Sequence, residues 1–398
     1  MNNIITDKKP KQTTLAFIKK FLQPSTKRYI LGTNAYAKSI FDALKNQGLV
    51  IEAFVDDFTK ETSFEGIKII TRHHLQSLCG GSVIVAATTN KTKSVIQTIK
   101  ALNEKLDVLD YFSFQKHSAL PLLEVQFPDE TQDPIRKTFA DFREDFKQHR
   151  QNYQDIFERF ADERSKNEFS SIINFRLTQD MDFLQDFDFR MHEQYFEDFL
   201  PNPKVFFDIG GYQGETSLEF IKRTPDYEHI YIFEPSEKNI NLAKEYLHAY
   251  KNIDFFAIGV GKEKQTLFYK NQTKQQDTSN HITHYAKEGT QALPIDSIDA
   301  LIAESKISQK VLNGGGAMIK MDIEGAERDA LLGMKQTITS YHPTLAICVY
   351  HRFDDFHKIP ELILGIRDDY TIFFRHYSET LDESVMFFVP KPKHKGYQ

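Results

Sequence analysis

Tryptophan is absent from the 398 residues, cysteine occurs only twice, and no apolar run approaches the length of a membrane span. A bilayer crossing needs about 20 consecutive apolar residues, so no membrane span is expected. Met1 to Thr14 is polar and lacks the apolar core of a secretion signal. Cys79 and Cys348 each sit in or beside an apolar run. Buried thiols are expected there in preference to a disulfide or a cysteine metal site. Excess positive charge is also missing, since the net charge is −6. Nucleic acids and anionic membranes attract clustered Lys and Arg, whereas the basic residues here are spread along the chain. A soluble, cytoplasmic protein with a small-molecule or glycan partner and no nucleic acid fits these absences. Homo-oligomerisation stays open.

What is present is length and apolar content. At 398 residues with 40% hydrophobic content, the chain exceeds one core of typical size. Three segments are expected: residues 26–120, 121–202 and 203–392. In the first, Tyr29-Ile30-Leu31 ends at Gly32, and a helical stripe of Ala37, Ile40, Phe41 and Leu44 follows. Val50–Val55 and Val83–Ala87 read as further strands, with a helix near 93–102. Strands alternating with helices imply a smaller Rossmann-like, parallel sheet. In the second, Phe139, Phe146, Tyr153 and Phe160 recur every seven residues, with Phe142, His149 and Ile156 between them. That predicts one long amphipathic helix, whose stripe packs on a neighbouring element or pairs with another chain. The third holds seven strand-like runs: Val205–Ile209, Ile230–Phe233, Ile253–Val260, Met318–Ile323, Leu345–Val349, Thr371–Phe374 and Val385–Val389. Helical patterns at 215–223, 237–249, 326–339 and 355–367 intervene. The fold class is α/β, a seven-stranded doubly wound sheet of the methyltransferase, Rossmann-like kind.

Three motifs carry chemistry. In Asp208-Ile-Gly210-Gly211-Tyr-Gln-Gly214-Glu215, a strand enters a glycine turn that opens a helix. Open α/β sheets bind ligands at such strand ends. Acids at 208 and 215 repel a pyrophosphate and suit a ligand bearing a sulfonium and an ammonium. Glu234 ends the second strand about 20 residues later, where an acid accepts hydrogen bonds from ribose hydroxyls. It also has a plainer reading, as an acid beside the helix cap Ser236. Asp322 and Glu324 alternate at the fourth strand's end and point to one side of it. Two such acids are costly to bury without a cation or donors. Glu324 and Glu327 can also simply favour a helix N-terminus.

FDIGGYQGET, IFEPSEKN, AIGVG at Ala257–Gly261 and IKMDIEGAERDALLGM, in that order and spacing, resemble the FkbM-type methyltransferases. The resemblance runs from about Pro203 to Pro390. It implies S-adenosyl-L-methionine as co-substrate, bound by Asp208, Gly210, Gly211, Gly214 and Glu234, with Ala257 and Ile258 near the adenine. It also implies O-methylation of glycans, polyketides or related hydroxylated metabolites. LAICVYHRFDD, Phe374-Arg375-His376-Tyr377 and Gln194-Tyr195-Phe196 resemble a bacterial subgroup.

Methyl transfer to oxygen needs an aligned acceptor and a base. His351 is the first candidate, because neutral imidazole accepts a proton near physiological pH, and His376 is the second. A structural role is open for both. Asp322 and Glu324 are alternatives, as base or as ligands of a divalent metal. The polar Asp277–His281 loop either folds over the site or is solvated. In the N-terminal segment, Gly32-Thr-Asn34 lacks the second glycine of a dinucleotide turn, and Asp56 stands where a ribose acid would. With VIVAATTNK it resembles the small nucleotide-binding domain of sugar-modifying enzymes in surface-glycan pathways. A nucleotide-linked sugar site and a packing domain both remain open. For the whole chain, the alternatives are an NAD(P)-linked oxidoreductase and a non-catalytic nucleotide-binding or assembly module.

Overall fold

Short apolar runs that end in polar turns form two mainly parallel sheets, and a Phe-rich helical region packs between them. The computed structural model describes residues 4–5, 11–78, 80–86, 92–124, 138–269, 285–286, 291–313 and 316–391. Cys79, Thr88–Asn90, the Asp277–His281 loop and Gly314-Gly315 lie outside them.

The N-terminal sheet comprises β1 (Arg28–Leu31), β2 (Ala53–Val55), β3 (Ser63–Phe64), β4 (Ile67–Ile70), β5 (Ser82–Val85) and β6 (Asp107–Asp110), in the order β3-β4-β2-β1-β5-β6. All pairs are parallel except the β3–β4 hairpin. β1, β2 and β5 are buried on both faces, as central parallel strands must be when helices cover both sides. The helices Ala35–Asn46 and Thr92–Leu102 stand where periodicity places them. The hairpin, β6 and the helices Gln12–Phe21, Arg72–Ser77 and Tyr111–His117 add to the expected elements.

The helical region corrects one expectation. The seven-residue stripe does not form one helix. It forms two, Phe139–Gln148 and Arg150–Arg159, which meet at His149 with φ −115° and ψ 23°. The His149 ring turns back onto Asp145, with Nδ1 3.2 Å from the backbone oxygen and 2.8 Å from Oδ1. A side chain that engages its own helix end competes with propagation. The stripe is still buried: Phe146 and Tyr153 meet across the break at 4.9 Å between ring centroids. It packs against the helices Glu163–Thr178 and Asp355–Ile366.

The C-terminal sheet comprises β7 (Val205–Ile209), β8 (His229–Phe233), β9 (Ile253–Phe256), β14 (Ala317–Met321), β15 (Thr344–Cys348), β16 (Tyr370–His376) and β17 (Ser384–Pro390), in the order β16-β17-β15-β14-β7-β8-β9. β17 runs antiparallel to both β15 and β16, and the other pairs are parallel. Seven strands form this sheet, matching the expected fold class. The run Ile253–Val260 is not one strand. After β9 the chain turns at Ala257-Ile258, and β10 (Gly259–Val260) joins a separate sheet with β11 (Gln265–Tyr269), β12 (Tyr285–Ala286) and β13 (Gln291–Asp296). The pattern at 326–339 likewise divides, into Glu327–Leu332 and Lys335–Tyr341.

β16 is an edge strand, and its outward groups are covered. The amide of Phe374 donates to Ser165 Oγ at 2.9 Å, and that of His376 to Glu168 Oε2 at 2.7 Å. Ala161 donates its amide to the Ile372 carbonyl at 2.9 Å. Arg375 pairs with Asp162 at 2.7 Å. The helix Glu163–Thr178 and the residues before it therefore do for the sheet what a further strand would do. Among the described residues, no helix is long and apolar enough to cross a membrane.

Candidate active site

The strand order reverses between β7 and β14, and such a switch point opens a crevice beyond the strands' carboxyl ends. A cleft of about 280 Å³ lies there. Its walls are the ends of β7 (Gly210, Tyr212), β8 (Glu234) and β14 (Asp322, Glu324), with Asn239 of the helix Glu237–Tyr246, closed by Ile258 and the β10–β13 sheet. All three charged residues in the wall are acids: Glu234, Asp322 and Glu324.

The glycine turn is held from beneath. Lys320, inside β14, is buried; its Nζ lies 3.0 Å from Asp208 Oδ1 and donates to the Gly210 carbonyl at 2.6 Å. Burial lowers the lysine pKa, but Asp208 and then Asp322 more than offset this, and the net shift is upward. Asp208 Oδ2 accepts from Ser217 Oγ at 2.7 Å. Gly210 has φ +82°, and a Cβ there would lie 1.9 Å from the Asp322 carbonyl oxygen, so only glycine lets the two strand ends meet.

Four expected ligand residues thus lie outside the cleft wall. Asp208 is fully buried, with Ser217 Oγ donating to Oδ2 and Lys320 Nζ forming an ion pair with Oδ1, which has no hydrogen bond. It is not among the residues that line the cleft. Gly211 packs on Ile232 of β8, and Gly214 on Leu247 and Ala243 of the neighbouring helix. Ala257 is exposed, while Ile258 beside it lines the cleft.

Glu234 is largely buried yet lines the cleft. Its two oxygens accept from the backbone amides of Tyr212 at 3.1 Å and Ser236 at 2.8 Å. Burial raises its pKa against those donors. Asp322 Oδ2 accepts from Tyr195 Oη at 3.0 Å, and Oδ1 accepts from Tyr350 Oη at 3.4 Å. Burial pushes the Asp322 pKa up, but His351 and Lys320 outweigh it and the net shift is downward. Glu324 sits at φ +56° directly beyond, with a half-exposed side chain.

His351 is buried at the foot of these acids. Its Nδ1 is 3.0 Å from Glu327 Oε1, and its Nε2 is 3.3 Å from Asp322 Oδ1 and 3.5 Å from Glu324 Oε2. Burial lowers its pKa, but Glu327, Asp322 and Glu324 together raise it well above that of a free imidazole. An imidazolium is a poor base, so the ring's proximity to Asp322 matters more than its own basicity. Glu327 also accepts the Ile323 amide at 2.9 Å; the buried counter-ion role adds to the expected helix-end role.

His376 is a correction. It ends β16, three places from β14 in the strand order, and is fully buried. Its Nδ1 is 2.8 Å from Ser384 Oγ, and Phe187 packs edge-on against the ring. Burial, with Arg176 and Arg190 nearby, pushes its pKa down to about 3. It is a neutral core residue remote from the cleft. The sequence assigns no role to Lys320 or Ser217, and places Tyr195 and Tyr350 only by resemblance. The alternation of Lys320 with Asp322 in β14 was the one signal that could have paired the lysine with the turn.

Residues 208–390 match the family model described as the methyltransferase FkbM domain. No curated protein matches the chain. Among solved structures, it resembles a methyltransferase FkbM from Methylobacillus flagellatus, at 21% identity and a TM-score of 0.67, over 95% of this chain and 93% of that one. That likeness extends the shared fold through the N-terminal sheet. A putative rRNA methylase from Clostridium thermocellum aligns at 10% identity and TM-score 0.30, over 51% of this chain and 96% of its own. Aeropyrum pernix fibrillarin, with natively bound S-adenosyl-L-methionine, aligns at 8% and 0.30, over 50% and 71%. The family match favours methyl transfer over the oxidoreductase reading: residues 208–390 are an FkbM methyltransferase domain, of the S-adenosylmethionine-dependent kind.

Proposed function

We propose that the enzyme O-methylates a hydroxyl of a sugar, glycan precursor or related metabolite, with the methyl donor seated in the β7–β14 cleft. The observation that carries the donor's placement is the charge of the wall, where Glu234, Asp322 and Glu324 are the only charged lining residues among those described. Such a wall repels a pyrophosphate and attracts a sulfonium and an ammonium. Glu234 would take the ribose hydroxyls. Gly210 and Tyr212 would border the donor, and Ile258 would cover the adenine. The donor supplies a methyl group on positively charged sulfur.

Asp322 is the proposed acceptor of the hydroxyl proton. It lies in the cleft wall, and His351, Lys320 and two tyrosine hydroxyls hold it as a carboxylate. A weak base suffices, because the hydroxyl proton becomes strongly acidic as the new carbon–oxygen bond forms. His351 positions Asp322 and does not itself abstract the proton. A divalent ion held by Asp322 and Glu324 is a second route to the same acidification.

The N-terminal sheet is proposed to hold the acceptor's handle. The amide of Lys93, at the carboxyl edge of β5, donates to Glu379 Oε2 at 2.9 Å, and Lys93 Nζ pairs with Asp188. Glu379 belongs to the same loop as Glu383, whose carboxyl burial and Asp322 push up to about 7. These contacts support placing the acceptor's handle at that edge.

Calorimetric titration with S-adenosylhomocysteine tests the donor site. The wild type should bind, Glu234→Ala should weaken binding at least tenfold, and NAD should give no heat. Undiminished affinity in Glu234→Ala would remove the site. Incubation with nucleotide sugars and free sugars, read by mass spectrometry, tests the acceptor; methyl transfer to nitrogen alone would overturn the oxygen reading.

A further inference from the structure

Away from the cleft, a second group of titratable side chains converges where the helical region meets the methyltransferase domain. Asp145 and His149 stand at the break between the 139–148 and 150–159 helices. His357 and Glu361 share one face of the 355–366 helix, four residues apart. Asp145 Oδ1 lies 2.8 Å from His149 Nδ1, and Asp145 Oδ2 lies 3.3 Å from His357 Nε2. His357 Nδ1 lies 2.9 Å from Glu361 Oε1. Asp145 and His357 are buried, whereas the His149 side chain is 35% exposed.

The hydrogen bonding here is incomplete in a particular way. Glu361 accepts the Nδ1 proton of His357 and is itself held by the amide of Asn152. With Nδ1 engaged by Glu361, Nε2 is the ring nitrogen of His357 that faces Asp145. That nitrogen is buried and has no hydrogen-bond partner, although Asp145 Oδ2 stands 3.3 Å away. The same oxygen already accepts from Tyr153 Oη at 2.7 Å. A nitrogen lone pair facing a carboxylate in dry surroundings is repulsive unless a cation lies between them.

One ring nitrogen of His149, one of His357 and a carboxylate oxygen of Asp145 all lie within 4.8 Å of one another. Ligands about 2.0–2.2 Å from one metal ion stand roughly 3–4 Å apart, out of line for hydrogen bonding. A metal-bound histidine usually donates its other N–H to a carboxylate, which fixes the tautomer; Glu361 does this for His357.

We propose that Asp145, His149 and His357 form a binding site for a divalent transition metal of the zinc class, with Glu361 as the positioning carboxylate. Two imidazoles and one carboxylate favour zinc-like ions over magnesium or calcium, which prefer all-oxygen sets. Exposure of His149 gives a route of entry and room for water as a fourth ligand. The ion would clasp the helical region to the helix that follows the Tyr350-His351 strand end. This site is distinct from Asp322, Glu327 and His351 at the cleft, which also converge within metal-binding distance.

The test is zinc binding by the full chain after chelator treatment, followed by calorimetry and by elemental analysis of desalted protein. One equivalent of Zn2+ should bind and raise Tm. His357→Gln should weaken that binding at least tenfold, and so should His149→Gln, a second variant at a partly exposed side chain. Glu361→Gln should weaken it by about 10–100-fold, and His351→Gln should retain it. Three results would overturn the site: no stoichiometric zinc in the wild type, wild-type affinity in both His149→Gln and His357→Gln, or loss confined to His351→Gln. In the first case a proton shared between His357 and Asp145 does the ion's work.

Discussion

The two parallel sheets share a sequence device and use it differently. Each runs an apolar strand into a glycine turn and ends its second strand near an acid. In the N-terminal sheet the turn is closed by its own side chains. Asn34 accepts the Ala37 amide at 3.0 Å as a helix cap and donates to the Ala86 carbonyl at 2.8 Å. Asp56 accepts from Thr33 Oγ1 at 2.6 Å and from the amides of Phe58 and Thr59. In the C-terminal sheet, Lys320 draws Asp208 and the Gly210 carbonyl downward, which leaves Glu234, Asp322 and Glu324 around a cleft. An acid after a glycine turn therefore reads as a ligand group only once the turn's internal hydrogen bonds are counted.

Lys320→Met is the largest test of that contrast. It strands the Asp208 carboxylate in the core, and breaking a buried pair costs about 3–5 kcal/mol. Denaturant unfolding should show that loss, with weakened S-adenosylhomocysteine binding. A loss under about 1 kcal/mol, on the scale of exposed pairs, would mean that the turn does not lean on this ion pair.

Acid should separate the sheets next. His376 has a folded pKa of about 3, depressed by burial and by Arg176 and Arg190, whereas an unfolded chain takes up that proton near pH 6.5. Between these values the unfolded state binds more protons, so stability falls as pH falls, by up to about 1.4 kcal/mol per pH unit. Amide exchange at Phe374 should accelerate across that window more than at Ile30, and His376→Gln should flatten the difference. Equal acceleration at both amides, unchanged in the variant, would contradict the assignment.

The smallest effect is expected at Asn34. Asn34→Ala removes a helix cap and should cost about 1 kcal/mol while leaving S-adenosylhomocysteine affinity unchanged. Weaker donor binding would erase the distinction between the turns.

Much of the C-terminal sheet was legible because its central strands are buried on both faces and read as unbroken apolar runs between turns. The division of 253–260 between two sheets was not legible, because the apolar run continues through the turn at Ala257-Ile258. The break at His149 was hidden for the same kind of reason: seven-residue spacing is satisfied equally by one helix and by two that bury the same stripe. At the site, Glu234, Asp322 and Glu324 were identifiable from strand ends and spacing. His376 was misplaced because a strand end does not reveal how far its strand stands from the switch point. The ring of groups around His351 depends on Glu327 and Asp322 arriving from another element, which no local pattern encodes.

The cover over β16 has a practical corollary for anyone dissecting the chain. A fragment cut at the start of the family domain would discard Ala161, Ser165 and Glu168 and bare a hydrogen-bonding rim seven residues long. Such a rim recruits whatever strand it meets. The excised half should clump, and a minimal catalyst would have to begin upstream of Phe160.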